Sequence, residues 1–310
     1  IQQDTKPDTN KKYLDPFLHV KAKVISICAP MGSGKTKQIE DFIEHNYKDA
    51  TIIFVTCRKG MARTLKGRLR NYDIYTDVIN QQRQIHEYES LHKANRQMYD
   101  LVVIDEIRSM LSSSVCPETN GDNLSSNMAA LQEICDNADQ VICADADLYI
   151  DGSVSDFYRT LFRPTEIHHI THEGGQTPLH YLFANEARFI EMMKDDLRQG
   201  RKIVACVGSA AKLKALEKIA AEIIDPEKVV AYYAGCSKQN EISNVTRNWA
   251  KYNFIGFTST ITVSVDYQGA VYKVYIYPDS RTCTPREMEQ MRARARWILS
   301  LLIVVMYNAK

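Results

Sequence analysis

The chain has 310 residues and a mass of 35.4 kDa, a length that suggests two domains rather than one. Its 39 Lys and Arg balance 38 Asp and Glu to a net charge of +1, which excludes a polybasic tail or a histone-like grip on a polyanion but leaves room for a local basic stripe. With 45% hydrophobic and 25% charged residues the composition is that of a folded protein, and it excludes disorder and collagen-like repetition.

Short β-branched runs alternate with longer helical patterns. In chain order, strands are expected at 24–28, 51–56, 101–104 and 140–143, and helices at 37–45, 61–70 and 128–137. Residues 112–127, with Pro117, Gly121 and several serines, read as an irregular loop. The stretch 162–178 is rich in turn formers and carries no clear period, so a domain boundary is expected near residue 175. Beyond it come helix 187–198, strand 202–207, helix 210–223, strands 229–233, 254–257 and 271–277, a helix from Pro285, and a last strand at 301–305. This alternation is that of βαβ units on mainly parallel sheets. The expected architecture is α/β: an N-terminal extension (1–20), a first lobe (21–174) and a second (175–310).

The eight cysteines, Cys28, Cys57, Cys116, Cys135, Cys143, Cys206, Cys236 and Cys283, form no Cys-x-x-Cys pair. Several lie in apolar runs, where a thiol behaves as a small hydrophobe, so the reading is a reducing compartment without a disulfide framework. The first twenty residues lack the apolar segment of a signal peptide. The apolar stretch 298–306, about nine residues, is too short to span a bilayer. The chain starts at Ile1 rather than Met, which reads as processing or as a fragment.

Two motifs carry chemistry. Ala29-Pro30-Met31-Gly32-Ser33-Gly34-Lys35-Thr36 follows a strand and opens a helix, the context that a phosphate-binding loop requires. Gly32 and Gly34 let the backbone curl so that its N–H groups face phosphate oxygens, Lys35 can reach the β- and γ-phosphates of ATP, and the Thr36 hydroxyl can ligate Mg²⁺. Ala29 stands where the first glycine of the pattern is usual. The second motif, Leu101-Val-Val-Ile-Asp105-Glu106, is an apolar strand that delivers an Asp suited to Mg²⁺ and a Glu suited to deprotonating water. An acidic pair after a strand is by itself more often a helix cap; about 70 residues after the phosphate loop it points to a nucleotide hydrolase.

These motifs are followed by others in a fixed order: VTCRKGMARTL, YESLHK, LVVIDEIRSML, CADADL, FTSTITVSVDY and EMEQMRARAR. The set resembles the herpesvirus-type replication origin-binding protein helicases of superfamily two, over residues 24–296. The resemblance implies two RecA-like P-loop NTPase lobes, with ATP between them and single-stranded DNA crossing both. It makes Gly32, Gly34, Lys35 and Thr36 the triphosphate and Mg²⁺ ligands, Asp105 a Mg²⁺ ligand and Glu106 the catalytic base. It makes Thr56, Cys57, Arg58, Ser90, Ser209, Thr258, Thr260 and Thr262 nucleic-acid contacts, with Leu91 beside Ser90. Asp145 and Asp147, in the CADADL stretch, are expected to couple the γ-phosphate site to the DNA track. Gln290 through Arg296 matches the Gln-x-x-Gly-Arg pattern, with Ala293 in place of Gly and Trp297 in place of a usual Arg. Arg296, or else Arg294, is the expected arginine finger, and the methyl of Ala293 is expected to reduce activity if the approach there is tight.

Blander readings compete at several positions. The basic run 61–70 is solvated helix charge or a DNA contact through one or two cations. His168, His169 and His172 lie in the expected interlobe linker without a cysteine partner, which argues against zinc. Asp145 and Asp147 do not have the context of a glycosidase carboxylate pair. Trp249 reads as helix packing before base stacking.

The function expected is an ATP-dependent DNA helicase acting in replication, inside the cell and in the host nucleus if the source is viral. DNA and replication proteins are the expected partners, with no membrane and no structural zinc. The alternatives are an RNA helicase or double-strand translocase with the same motor, or a non-hydrolysing nucleic-acid-binding remnant. Origin recognition belongs, in the family resembled, to a separate region after the motor; motor function is therefore expected of this chain directly, and origin-specific binding only by family association.

Overall fold

The computed structural model describes residues 3–5, 11–57, 62, 65–66, 69, 72–74, 82–94, 98–114, 121–148, 161–162, 166–174, 179–236, 245–259, 267–279 and 281–307. The chain divides into two compact units, Ile1–Gln176 and Thr177–Lys310.

The first unit contains β1 (Gln3–Thr5), β2 (Val24–Cys28), α1 (Lys35–Asn46), β3 (Ile52–Thr56), β4 (Asp73–Ile74), β5 (Arg83–Glu87), a 3-10 turn (Tyr88–Lys93), β6 (Leu101–Asp105), α2 (Ile107–Ser114), α3 (Leu124–Asn137), β7 (Gln140–Asp145) and β8 (Ile167–Thr171). Its sheet runs β1-β8-β2-β7-β6-β3-β5-β4, and every neighbouring pair is parallel. The central strands β3, β6 and β7 are buried along their whole length. This is what a parallel sheet covered on both faces demands of its sequence.

Residues from the expected N-terminal extension take part in this unit. β1 adds an edge strand beside β8, and buried Phe17 stacks on Phe42 of α1 at 5.2 Å. The stretch 162–178 is not the featureless break expected: β8 lies within it and pairs with β2, Val24 opposite Ile167. His168 and His169 are therefore strand residues of the first unit. β8 escaped notice because only Ile170 of its five residues is buried, so it lacks the apolar run by which a central strand is recognised. The expected loop 112–127 is also shorter. α2 extends to Ser114, and α3 begins at Leu124 with Asn127, Ala130, Leu131, Ile134 and Cys135 on its buried face, a helical spacing that serines and asparagines had masked. Of the basic run 61–70, residues 61, 63–64, 67–68 and 70 lie outside the described residues.

The second unit contains β9 (His180–Ala184), α4 (Glu186–Arg198), β10 (Ile203–Val207), α5 (Ala210–Ile223), β11 (Val229–Tyr232), α6 (Val245–Asn248), β12 (Phe254–Phe257), β13 (Tyr267–Val271), β14 (Lys273–Tyr277), α7 (Pro285–Arg292), β15 (Ala295–Ile298) and β16 (Leu302–Met306). Six strands form a parallel sheet in the order β11-β12-β10-β14-β16-β9, and β13 pairs with β15 beside it. The single strand expected at 271–277 is thus two: Val271 ends β13, and β14 starts at Lys273. Between them the Tyr272 N–H donates to the Lys202 carbonyl at 2.7 Å.

One face of this sheet packs around Trp249, which lies against Tyr232, Phe257 and Tyr267 at ring distances of 5.8, 5.6 and 5.3 Å. The bland reading of Trp249 is the right one. The other face packs around Phe189 of α4. There the buried Asp196 carboxylate accepts hydrogen bonds from Lys273, Arg201 and Tyr275 at 2.8, 2.8 and 2.5 Å. Burial opposes its charge, but these donors outweigh that cost and hold its carboxyl below the usual range.

Candidate functional site

The site of the first unit is assembled at the C-terminal ends of three adjacent strands, in the order β2, β7, β6. β2 feeds the glycine-rich loop and α1. Gly32 (φ 82°) and Gly34 (φ 86°) occupy the left-handed region, where a side chain would be strained. Ala29, where the first glycine is usual, is fully buried and is not among the positive-φ residues, so its methyl is accommodated without backbone strain. Inside the loop the Ser33 N–H donates to the Pro30 carbonyl at 3.2 Å, and the Ser33 carbonyl accepts from Leu14 at 2.8 Å, tying the N-terminal segment to the loop. Met31 and Pro30 are half-buried.

Lys35, the first residue of α1, donates to the carbonyls of Ala29 and, at 3.1 Å, Pro30. Desolvation lowers its pKa, against the opposing charges of Asp105, Glu106, Asp145 and Cys28. The Thr36 hydroxyl donates to Asp105 Oδ2 at 3.3 Å. Asp105 is buried at the end of β6, and its pKa is pushed up to about 6, first by burial and then by the charges of Glu106 and Asp145, against the pull of Lys35.

Glu106 begins the turn into α2 with φ 57°, an uncommon conformation for a residue other than glycine that costs about 1–3 kcal/mol. Its N–H donates to Asp105 Oδ1 at 3.0 Å, and Ser109 Oγ lies 3.4 Å from Glu106 Oε2. From β7, Asp145 Oδ2 accepts the Arg108 N–H at 2.8 Å, while the Asp145 carbonyl accepts the Ala29 N–H at 3.1 Å. The Arg108 guanidinium donates to the Asp147 carbonyl at 2.8 Å and lies 3.5 Å from its carboxylate. Arg108 is a site residue that no motif marks in the sequence. Its only signal was a cation on the first turn of the helix after an acidic pair.

The other expected residues are more dispersed. Thr56 and Cys57 at the end of β3, Ser90 and Leu91 in the 3-10 turn, and Thr258 after β12 are all buried. The Ser90 hydroxyl is turned inward to the Glu87 carbonyl at 3.3 Å. Buried Asn127 clamps the same turn, accepting from His92 N–H at 2.9 Å and donating to the Glu89 carbonyl at 3.0 Å. The whole group therefore offers little side-chain surface. Ser209, the N-cap of α5, is partly exposed and makes no side-chain cap bond. Arg58, Thr260 and Thr262 lie outside the described residues.

In the second unit Gln290 is buried on α7, Arg294 is in the turn after it, and Arg296 is on β15; both arginines are partly exposed. Ala293 is right-handed at φ −64°, so the glycine usual there answers no backbone requirement in this chain. Trp297 is exposed, opposite Ala270 of β13. Among the described residues no group of three or more His, Cys, Asp or Glu can hold a metal ion, and no helix is long and apolar enough to cross a membrane.

A glycine-rich loop and an Asp-Glu strand end on a parallel sheet, with a second parallel α/β unit following, define a RecA-like α/β fold. The fold is similar to that of the Mycobacterium smegmatis helicase Lhr bound to ssDNA and AMP-PNP. The TM-score is 0.64 and the identity 16%, covering 92% of this chain and 44% of that one.

The chain belongs to the family described as origin of replication binding protein, which it matches over residues 2–174. It is 26% identical to a protein of Acanthamoeba polyphaga mimivirus named for replication origin binding, over 93% of this chain and 38% of the relative. It is 24% identical to the replication origin-binding protein of Human herpesvirus 6B (strain Z29), over 84% of this chain and 35% of the relative. The chain thus spans little more than a third of the length of these relatives.

Proposed function

We propose that this chain is an ATP-driven helicase motor that couples ATP hydrolysis to movement along single-stranded DNA during replication. The observation that carries the reading is the meeting of the Thr36 hydroxyl with the Asp105 carboxylate, 3.3 Å apart, beside a glycine-rich loop and Lys35. The family match and the helicase fold support it.

The donor set fits Mg²⁺. Two hard oxygen donors adjoin within a buried acidic neighbourhood of Asp105, Glu106 and Asp145, and Mg²⁺ favours one or two protein oxygens together with substrate phosphates and water. Thr36 and Asp105 would hold the ion, which when bound neutralises charge on the phosphates. Lys35 and the loop N–H groups from Gly32 to Thr36 bind the β- and γ-phosphates of ATP. Lys35 exchanges its carbonyl partners for phosphate oxygens, which restores the ammonium to an anionic partner. Glu106 orients and deprotonates the attacking water, a role worth about 10²–10⁴-fold. Arg296, or Arg294, supplies positive charge to the γ-phosphate in the transition state, worth roughly 10³-fold or more. Grip on DNA rests on the strand backbone, with little sequence preference and affinity that falls as salt rises. Origin-specific binding comes to this chain only through its family.

The test is DNA-stimulated ATPase of the chain beside Lys35→Ala and Glu106→Gln, together with unwinding of DNA-tailed and RNA-tailed duplexes. DNA-dependent turnover lost in both variants is the expected result. Turnover no higher than that of Lys35→Ala would remove the enzyme reading, and preference for RNA tails would reassign the track.

A further inference from the structure

We infer that Asp145 is a positioning residue for Glu106, bracing the two halves of the nucleotide site from the strand that lies between them. The claim rests on the reading of Glu106 as the hydrolytic base. Strand order is its starting point: β7 separates β2, which carries the phosphate loop, from β6, which carries Asp105 and Glu106. The two halves are therefore not neighbours in the sheet, and the last residue of β7 is placed to bond to both. Cys28 is in register with Asp145, and Asp105 with Ala144.

Asp145 makes those two bonds with different groups. Its main-chain carbonyl accepts from Ala29 at the start of the loop, and its carboxylate accepts from Arg108 at the start of α2. The second bond satisfies one of the amides that a helix N-terminus leaves without an intrahelical partner, and it places a negative charge at the positive end of the helix. It is a cap supplied from another strand, while the residue preceding the helix, Glu106, is held at φ 57° with its carboxylate 3.4 Å from Ser109 Oγ. A second hydrogen bond, from the Ala146 N–H to Asp145 Oδ1 at 2.6 Å, orients the carboxylate. Asp145 is buried, so water does not compete for these bonds. Releasing the first turn of α2 lets Glu106 relax from its strained conformation and carries its carboxylate away from the attacking water. The loop is spared, because its bond uses the carbonyl that every residue at position 145 has.

The test compares Asp145→Ala and Asp145→Asn with the unaltered chain in steady-state ATPase, in affinity for a fluorescent ADP analogue, and in amide hydrogen exchange over 107–110. Asp145→Ala is expected to lower kcat about 100-fold, the scale of a small misplacement of a reacting group, with analogue affinity nearly unchanged. Exchange over 107–110 rises roughly tenfold, as for one lost hydrogen bond. Asp145→Asn retains one acceptor oxygen for the Arg108 N–H but loses the charge and the second acceptor, and is expected to recover part of the rate, which guards against a variant that merely fails to fold. In a Glu106→Gln background Asp145→Ala is expected to add no further loss of single-turnover hydrolysis, because it acts through the group already removed. Unchanged exchange over 107–110, or a full additional loss in the double variant, overturns the positioning role. Absence of turnover in the unaltered chain overturns the ATPase reading instead, and the exchange measurement still reports on the brace.

Discussion

Thr36 and Asp105 are 69 positions apart in the chain, yet the hydroxyl of one donates to the carboxylate of the other at 3.3 Å. Their meeting follows from parallel topology. Every strand of the first sheet ends at the same edge, so the first turn of the helix after β2 faces the residue that closes β6. Removing one partner isolates its role: Thr36→Ala is expected to weaken Mg²⁺-dependent ATP binding while leaving the fold intact. Isothermal titration with ATP in the presence and absence of Mg²⁺ measures this, and equal affinities for Thr36→Ala and the parent in Mg²⁺ would refute it.

Two buried groups give opposite pH dependences of stability. The Asp105 pKa is raised to about 6, so its contribution is fully present below its ordinary range near pH 4 and is lost as the pH rises through about 6. His86, buried in β5, is lowered to about 4, so its contribution is present above about pH 6.5 and is lost as the pH falls toward 4. Each is on the order of 3 kcal/mol, and over the shared window they partly cancel. Urea unfolding against pH should show Asp105→Asn steepening the acid-side loss and His86→Gln flattening it. Parallel curves for all three proteins would contradict both assignments.

Ala293→Gly should not improve activity. Ala293 is right-handed and buried, so glycine adds only unfolded-state freedom and is expected to lower stability by about 0.5–1 kcal/mol. Chemical denaturation and ATPase of Ala293→Gly check the two statements separately; a faster enzyme would show that the methyl does obstruct the site.

Trp249→Ala is expected to cost about 3–5 kcal/mol of stability, because it empties the centre of the core that Tyr232, Phe257 and Tyr267 build around the indole. Trp249→Phe, which refills most of that volume, should bind single-stranded DNA as the parent does. A marked loss of DNA affinity in the folded Phe variant would restore the base-stacking role.

Ser90→Ala should leave affinity for single-stranded DNA within about twofold, since the hydroxyl bonds inward to the Glu87 carbonyl and a modest, partly compensated hydrogen bond is all that is lost. Fluorescence anisotropy at two salt concentrations measures it. A large drop with a smaller salt slope would mark Ser90 as a phosphate contact after all.

The amino-acid sequence by itself determined the elements whose signals are local. Val24–Cys28 is a strand because it is a short apolar β-branched run, the segment after it is a tight loop because two glycines can enter the left-handed region, and Asp105 ends its strand because an apolar run stops there. Tertiary structure alone decided what depends on neighbours distant in the chain. β8 is a strand because β2 supplies its hydrogen-bonding edge, although its own residues are half-exposed. Thr56, Ser90 and Thr258 are buried because other elements cover them, and a motif pattern carries no record of what covers a hydroxyl. Asp145 became a link between loop and helix only when β7 was inserted between β2 and β6. Strand order is set by which hydrophobic faces bury together, a balance summed over the whole unit rather than written at any one position.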